Sequence, residues 1–290
     1  MDMNKPEYLA PETLEQAFEA LKNNPDGAMI IAGGTDMVPR MRAGVFTPEL
    51  LVDLRLLGLN EIRDEGEWIS IGASATHTDI LESDLLGENY PALIEAACDV
   101  AGPPIRNRGT LGGNLVNASP AADLATPLIA YDALAVISGK SGERDVPISR
   151  FFTGPGKTIL EVGEILVAVK VPKPPARTVA KFTKLGKRKA MAIAVVSAAV
   201  RISLDDDGKI SQARIGLGSV APVPLRVQEA EEVLEGQKPD QELFAKAGQE
   251  ASNGCSPITD LRSTGDYRKK MVAVLVRRAL AEAWENLQAE

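Results

Sequence analysis

Two glycine pairs constrain this chain more than any other feature. Gly33-Gly34 stands in "IAGGTDMVPRMRAG" (31–44), and Gly112-Gly113 in "RNRGTLGGNLVNASPAADLATPLIAYDA" (106–133). Without a side chain, backbone can approach another group closely, and free N–H groups there can donate to phosphate oxygens. Polar donors flank both pairs, Thr35 in the first segment and Thr110 and Asn114 in the second. Arg40, Arg42, Arg106 and Arg108 are close in sequence. Either pair alone reads equally well as a strand end. Together they suggest a nucleotide held between two subdomains.

Composition narrows the classes. The chain has 290 residues, enough for one large domain or several small ones with a substantial core. Its formal charge of −8 argues against nucleic-acid binding. No apolar run approaches the ~18 residues that would span a bilayer, and the opening "MDMNKPEYLA" does not read as a signal. A cytoplasmic protein is expected. Cys98 and Cys255 cannot by themselves ligate an iron–sulfur cluster or a structural zinc, and each reads as a small buried apolar residue. The single histidine, His77, lies in "GASATHTDIL" with no activated nucleophile nearby, and reads as a helix-start or turn residue. Hard chemistry, if any, would then belong to a bound cofactor.

Along the chain, "TLEQAFEALKN" (13–23) has the three/four apolar spacing of a helix, and "AMIIAGG" reads as a strand running into glycines. "MVPRMR" suggests a helical turn, while "ELLVDL" and "EWISIGA" suggest strands. "TDILESDLL" and "YPALIEAACDVAG" look helical, the second stopping before Pro103-Pro104. The second glycine segment reads as a loop leading to a helix near Leu124–Ala130, entered from Asp123. Strands follow at Leu134–Ser138 and Ile165–Val171, then a proline-rich joint, "VPKPPART" (171–178). Beyond it, "TVAKFTKL", "IAVVSAAVRISL" and "KISQARIGLGSV" read as strands, with "DDDGK" as a hairpin turn. Helices are expected at 224–235, 240–252 and about 263–287. The pattern is α+β, divided as 1–57, 58–174 and 175–290.

Two stretches imitate phosphate loops. "GPGKT" (154–158) lacks the first glycine of a P-loop, since position 151 is Phe, and reads as a turn. "GLGSVA" (216–221) lacks a third glycine and reads as a strand end. No dinucleotide fingerprint of the Rossmann type is present.

The glycine segments, with "IGASATHTDI", "GEILVAVKVP", "RIGLGSVAPVPLRVQEAEEVLEG" and "DLRSTGDYRKKMVAVLVRRAL", resemble in order and spacing the FAD-binding medium subunit of molybdenum hydroxylases. This group includes the xanthine dehydrogenase and carbon monoxide dehydrogenase flavoproteins. The resemblance covers nearly the whole chain, and "TLGGNLVNASPAAD" is its most specific piece. It implies a two-subdomain FAD-binding fold of the PCMH/vanillyl-alcohol-oxidase type, followed by a C-terminal domain with a small antiparallel sheet and helices.

By position, the resemblance implies that Ile30, Ile31, Ala32, Gly33, Gly34, Thr35, Asp36 and Met37 wrap the FAD pyrophosphate. Thr110, Gly112, Gly113 and Asn114 would meet the pyrophosphate and ribitol. Asp123 would hydrogen-bond the cofactor, with a plain helix N-cap as its other reading. Leu166 would pack near the isoalloxazine or serve as strand core. Lys184 would contact FAD or belong to a solvated basic run. No catalytic side chain and no metal ligand is expected on this chain. An aromatic cover over the flavin is absent at Ala192 and Ile193, and Val100 replaces an aromatic contact of some relatives. With only Cys98 and Cys255 the chain cannot hold the iron–sulfur cluster of some benzoyl-CoA-type relatives, which argues against that branch.

The implied function is electron transfer. Molybdopterin on a large partner subunit would do the substrate chemistry, and [2Fe-2S] centres on a small partner would relay electrons to FAD here. NAD⁺ or another acceptor would receive them, and the complex could dimerise. The C-terminal cations Arg262, Arg268, Lys269, Lys270, Arg277 and Arg278 could mark a subunit contact or a solvated face. Two other readings stay open: a self-contained flavin-dependent oxidoreductase acting on a small molecule, and a scaffold that has lost FAD.

Overall fold

The computed structural model describes residues 5–289. Strands β1 (Glu7–Leu9), β2 (Ala28–Ile31) and β3 (Leu50–Asp53) form a parallel sheet in the order β1-β3-β2. Helix α1 (Leu14–Asn23) connects the first two, and α2 (Met37–Arg42) lies between β2 and β3. The Thr13 hydroxyl accepts a hydrogen bond from Gln16 N at 3.3 Å, which fixes the start of α1. Ala17 and Leu21 of α1 pack with Val52, and with Val136, Ile165 and Val167 of the next sheet.

That second sheet is antiparallel. It contains β4 (Ile62–Asp64), β5 (Trp68–Gly72), β6 (Leu134–Gly139) and β7 (Gly142–Pro147). A hairpin, β8 (Phe152–Gly154) and β9 (Lys157–Thr158), precedes its last strand, β10 (Ile165–Pro172), and the order is β4-β5-β10-β6-β7. Between β5 and β6 run six short helices: α3 (His77–Leu81), α4 (Asp84–Gly87), α5 (Pro91–Asp99), α6 (Pro103–Arg106), α7 (Leu111–Val116) and α8 (Ala125–Ala130). Their apolar residues Leu93, Leu111, Leu115 and Leu128 share a core with Ile69, Ile71, Leu166 and Val169 of the sheet.

The third sheet is a meander of β11 (Thr178–Leu185), β12 (Val196–Leu204), β13 (Ile210–Gly218) and β14 (Leu225–Arg226). Strand alternation gives it two buried faces. Phe182 and Ala199 join the core under α8, whereas Ala198, Val200 and Ile202 face α9 (Gln228–Leu234), α10 (Gln241–Asn253) and α11 (Gly265–Ala289). Every residue of β12 is therefore buried. Among the described residues, no helix is long and apolar enough to cross a membrane.

Several expectations need correction. The second glycine segment is not a loop, because Thr110 caps a helix that contains both glycines. The helix after it starts at Ala125 with Leu124 in the capping position, so Asp123 is not its N-cap. "TDILESDLL" divides into α3 and α4 at Glu82-Ser83, and α5 ends at Asp99 rather than at Gly102. Strand β7 escaped the pattern reading because "GERDVP" is an exposed edge with no apolar alternation. Cys98 is exposed; only Cys255 is buried. Arg268 is neither solvated nor free to meet a partner: it is 1% exposed and donates to Val195 O, Ser219 O and Asp260.

Candidate cofactor site

The first segment begins where β2 ends. Gly34 has φ +73°, a left-handed conformation that glycine adopts without strain. Gly33 is confined from outside, because a Cβ there would lie 2.7 Å from the Arg108 carbonyl carbon and nearer still to its oxygen. Among the described residues, the backbone N–H groups from Gly33 through Met37 find no acceptor. Gly33, Gly34 and Thr35 are half-buried, and Asp36 is exposed. A run of free backbone donors of this kind suits an anion. Ile30 and Ile31 extend the strand, pairing with Val52 and Asp53, and Ile30 also packs on the first core.

The second segment is stitched to residues 73–77. Leu111 N donates to Ala75 O at 2.8 Å, Gly112 N to Ala73 O at 2.7 Å, and His77 N to Gly109 O at 3.0 Å. Ala73 N in turn donates to Val167 O, tying α7 to β10. A Cβ on Gly112 would sit 2.9 Å from the Ala73 Cβ, so this glycine is set by close packing. The Thr110 hydroxyl accepts from Gly113 N at 3.0 Å. Both glycine amides are thus consumed internally. What this segment leaves open is a side chain: Asn114 Oδ1 is buried without a partner.

Asp123 is 8% exposed and pairs with Lys184 of β11, Oδ2 to Nζ 2.6 Å. Lys184 also donates to Asp99 O at 3.0 Å, and its side chain is only 5% exposed, which removes the solvated-run reading. Burial pushes the Asp123 carboxyl up to about 6, against the pull of the Lys184 charge. Its Oδ1 has no partner. Leu166 is 3% exposed and packs within the second core, beside a register shift in β10.

The structure therefore joins the first segment to the backbone of the second through Gly33 and Arg108, and joins Asp123 to Lys184. It leaves Leu166 and Ile30 in packed layers. An adenine dinucleotide fits these features, since Asn114 Oδ1 and Asp123 Oδ1 are buried polar atoms that lack partners and the first segment has free amides. Sequence reasoning did not single out Ala73, Gly109 or the Asp99 carbonyl. Their roles are backbone contacts between segments, and only the glycine at 109 gave a local hint. His77 begins α3, as its position suggested, and is 3% exposed. In the loop after β11, Ile193 is 63% exposed, while Met191 lies against Gly102.

The fold is that of a two-part flavoprotein, an α+β FAD-binding portion followed by a C-terminal sheet-and-helix portion. Residues 3–174 match the family described as the FAD binding domain in molybdopterin dehydrogenase, and residues 181–283 match the CO dehydrogenase flavoprotein C-terminal domain. The chain belongs to the FAD-binding flavoprotein subunits of the molybdenum hydroxylases. It is 35% identical over 278 residues to the 6-hydroxypseudooxynicotine dehydrogenase complex subunit alpha of Paenarthrobacter nicotinovorans, covering 96% of this chain and 94% of that one. It is 36% identical to the carbon monoxide dehydrogenase medium chain of Hydrogenophaga pseudoflava, covering 96% of each. A solved carbon monoxide dehydrogenase from Hydrogenophaga pseudoflava, lacking the Mo-pyranopterin moiety, superposes with a TM-score of 0.94 over 98% of this chain and 99% of the matched chain.

Proposed function

We propose that this chain holds FAD between its two glycine segments and serves as the electron-transfer relay of a molybdenum hydroxylase complex. The single observation that carries this reading is the contact of Gly33 with the Arg108 backbone, beside the free N–H groups of Gly33 through Met37. Those amides would donate to the pyrophosphate, with Ile30, Ile31 and Ala32 forming the strand end behind them. Thr110, Gly112, Gly113 and Asn114 would form the opposite wall. Asn114 would offer its side-chain amide, and Asp123 its free Oδ1. Lys184 would keep Asp123 oriented across from β11, and Leu166 would back the ring system from the core.

Bound here, FAD would supply the interconversion between one-electron and two-electron transfer. The chain itself needs no acid or base for that. Electrons would come from [2Fe-2S] centres of a small partner subunit, downstream of a large molybdopterin-binding subunit, and leave to NAD⁺ or another acceptor. The division at residues 57 and 174, a cytoplasmic location and dimerisation of the complex belong to the same proposal. Full-length protein reconstituted with FAD should retain the flavin through gel filtration and show its visible bands. Isolated chain that oxidises a small molecule unaided would favour the self-contained oxidoreductase, and colourless protein would sink the proposal.

A further inference from the structure

His77, the only histidine in the chain, has no part in the function proposed above. Its position is nonetheless specific. The residue grips Gly109 twice. Its backbone N–H donates to Gly109 O at 3.0 Å, and the Cδ2–Nε2 edge of its ring lies 3.1 and 3.2 Å from where a Gly109 Cβ would stand. Two further contacts fasten the same turn. Thr76 bridges to Thr110, and the Thr78 hydroxyl donates to Asn107 Oδ1 at 2.6 Å. On the far side of Gly109 is the Arg108 carbonyl, the group that confines Gly33. One line of contacts thus runs from the imidazole through Gly109 and Arg108 to Gly33.

Simple core filling does not explain the choice of residue. His77 Nδ1 is buried with no partner, a desolvation cost that an apolar side chain of similar size would avoid. The ring also stays uncharged, since burial and the neighbouring Arg106 push it down to about 4. A neutral, flat ring edge can lie against a glycine backbone without drawing in a counter-charge. The first turn of α3 is rigid enough to hold it there, because Thr76 and Asp79 form a reciprocal capping box.

We infer that His77 is a positioning residue for the cofactor: its imidazole seats Gly109, and through Arg108 sets how closely the second segment approaches Gly33. The inference rests on the reading that these two segments hold FAD. Substitution should then change flavin affinity and the environment of the bound flavin before it changes the fold.

The test is an FAD titration of full-length His77→Asn, His77→Phe, Gly109→Ala and His77→Asn/Gly109→Ala, with far-UV circular dichroism to confirm folding. Visible circular dichroism of the bound flavin supplies a readout that a purely structural role would leave unchanged. Each single variant is expected to weaken FAD binding about tenfold or more, as small displacements of positioning groups do. The double variant should recover part of the Gly109→Ala loss, because the smaller Asn makes room for the new methyl. If His77→Phe does not fold, the Asn and Gly109 cycle still decides. Wild-type protein that holds no FAD would remove the parent reading. Wild-type that holds FAD, with folded variants binding within twofold and giving the same visible spectrum, would overturn the role of His77 alone.

Discussion

Gly33 and the Arg108 carbonyl are in direct backbone contact, so the end of β2 and the turn before α7 meet with no side chain between them. Any residue larger than glycine at 33 must push the two segments apart. Gly33→Val should therefore abolish FAD retention while leaving most of the fold, since Gly33 belongs to none of the three cores. Gly34→Ala meets ordinary van der Waals distances and costs only the strain of φ +73°, on the order of 1 kcal/mol. The FAD dissociation constants of the two variants, with their thermal midpoints, separate the effects.

Asp123 gives a pH signature. Its carboxyl moves from an ordinary value near 3.8 to about 6 because burial penalises the charged form. The folded chain thus binds more protons than the unfolded chain between these values, and this group's contribution to stability falls as pH rises from about 4 to about 6. Above that range the penalty is constant, on the order of 3 kcal/mol. Asp123→Asn should remove this slope. Denaturant unfolding of both proteins across that range gives the difference; parallel curves would contradict it.

Asp132, two residues past the end of α8 and with φ +56°, receives Arg201, Arg214 and Arg226 from three strands of the C-terminal sheet. Arg201 is largely buried and Asp132 is its one carboxylate partner among the described residues, so removing it leaves that cation with Gln212 alone, whereas Arg214 and Arg226 keep Glu235 and Glu231. Asp132→Ala should destabilise the chain by about 2–3 kcal/mol, toward the lower end for a buried pair because Asp132 is partly exposed. Urea unfolding measures it.

The cysteines should differ sharply toward alkylation. Cys98 is exposed at the end of α5. Cys255 is buried, its thiol donates to Ala251 O, and burial pushes it up to about 12. A maleimide should modify one site in the native protein and both after denaturation. Intact-mass spectrometry reads the result directly.

Much of this was legible in the sequence for a physical reason. Apolar periodicity marks β3, β5, β10 and the β11–β13 meander, because each buries at least one face, and the apolar run of β2 is half-buried. Glycine at 33 and 112 marks close approach, although only the structure identifies what approaches: Arg108 in one case and Ala73 in the other. The helix over Leu111–Val116 was hidden because two adjacent glycines disfavour helix, and the Thr110 cap together with bonds to Ala73 and Ala75 overrides that preference. The Asp123–Lys184 pair joins residues distant in sequence, so local pattern could not link them. The same holds for the ion cluster at Asp132.

The location of the cofactor is tested most directly by hydrogen–deuterium exchange of the full-length chain with and without saturating FAD. The amides from Gly33 through Met37 have no acceptor within the described residues. If they receive the pyrophosphate, their exchange should slow markedly on FAD binding, whereas the amides of α10, remote in the C-terminal core, should not change. Unchanged exchange at Gly33 through Met37, with FAD bound and protection appearing elsewhere, would contradict the two-segment site.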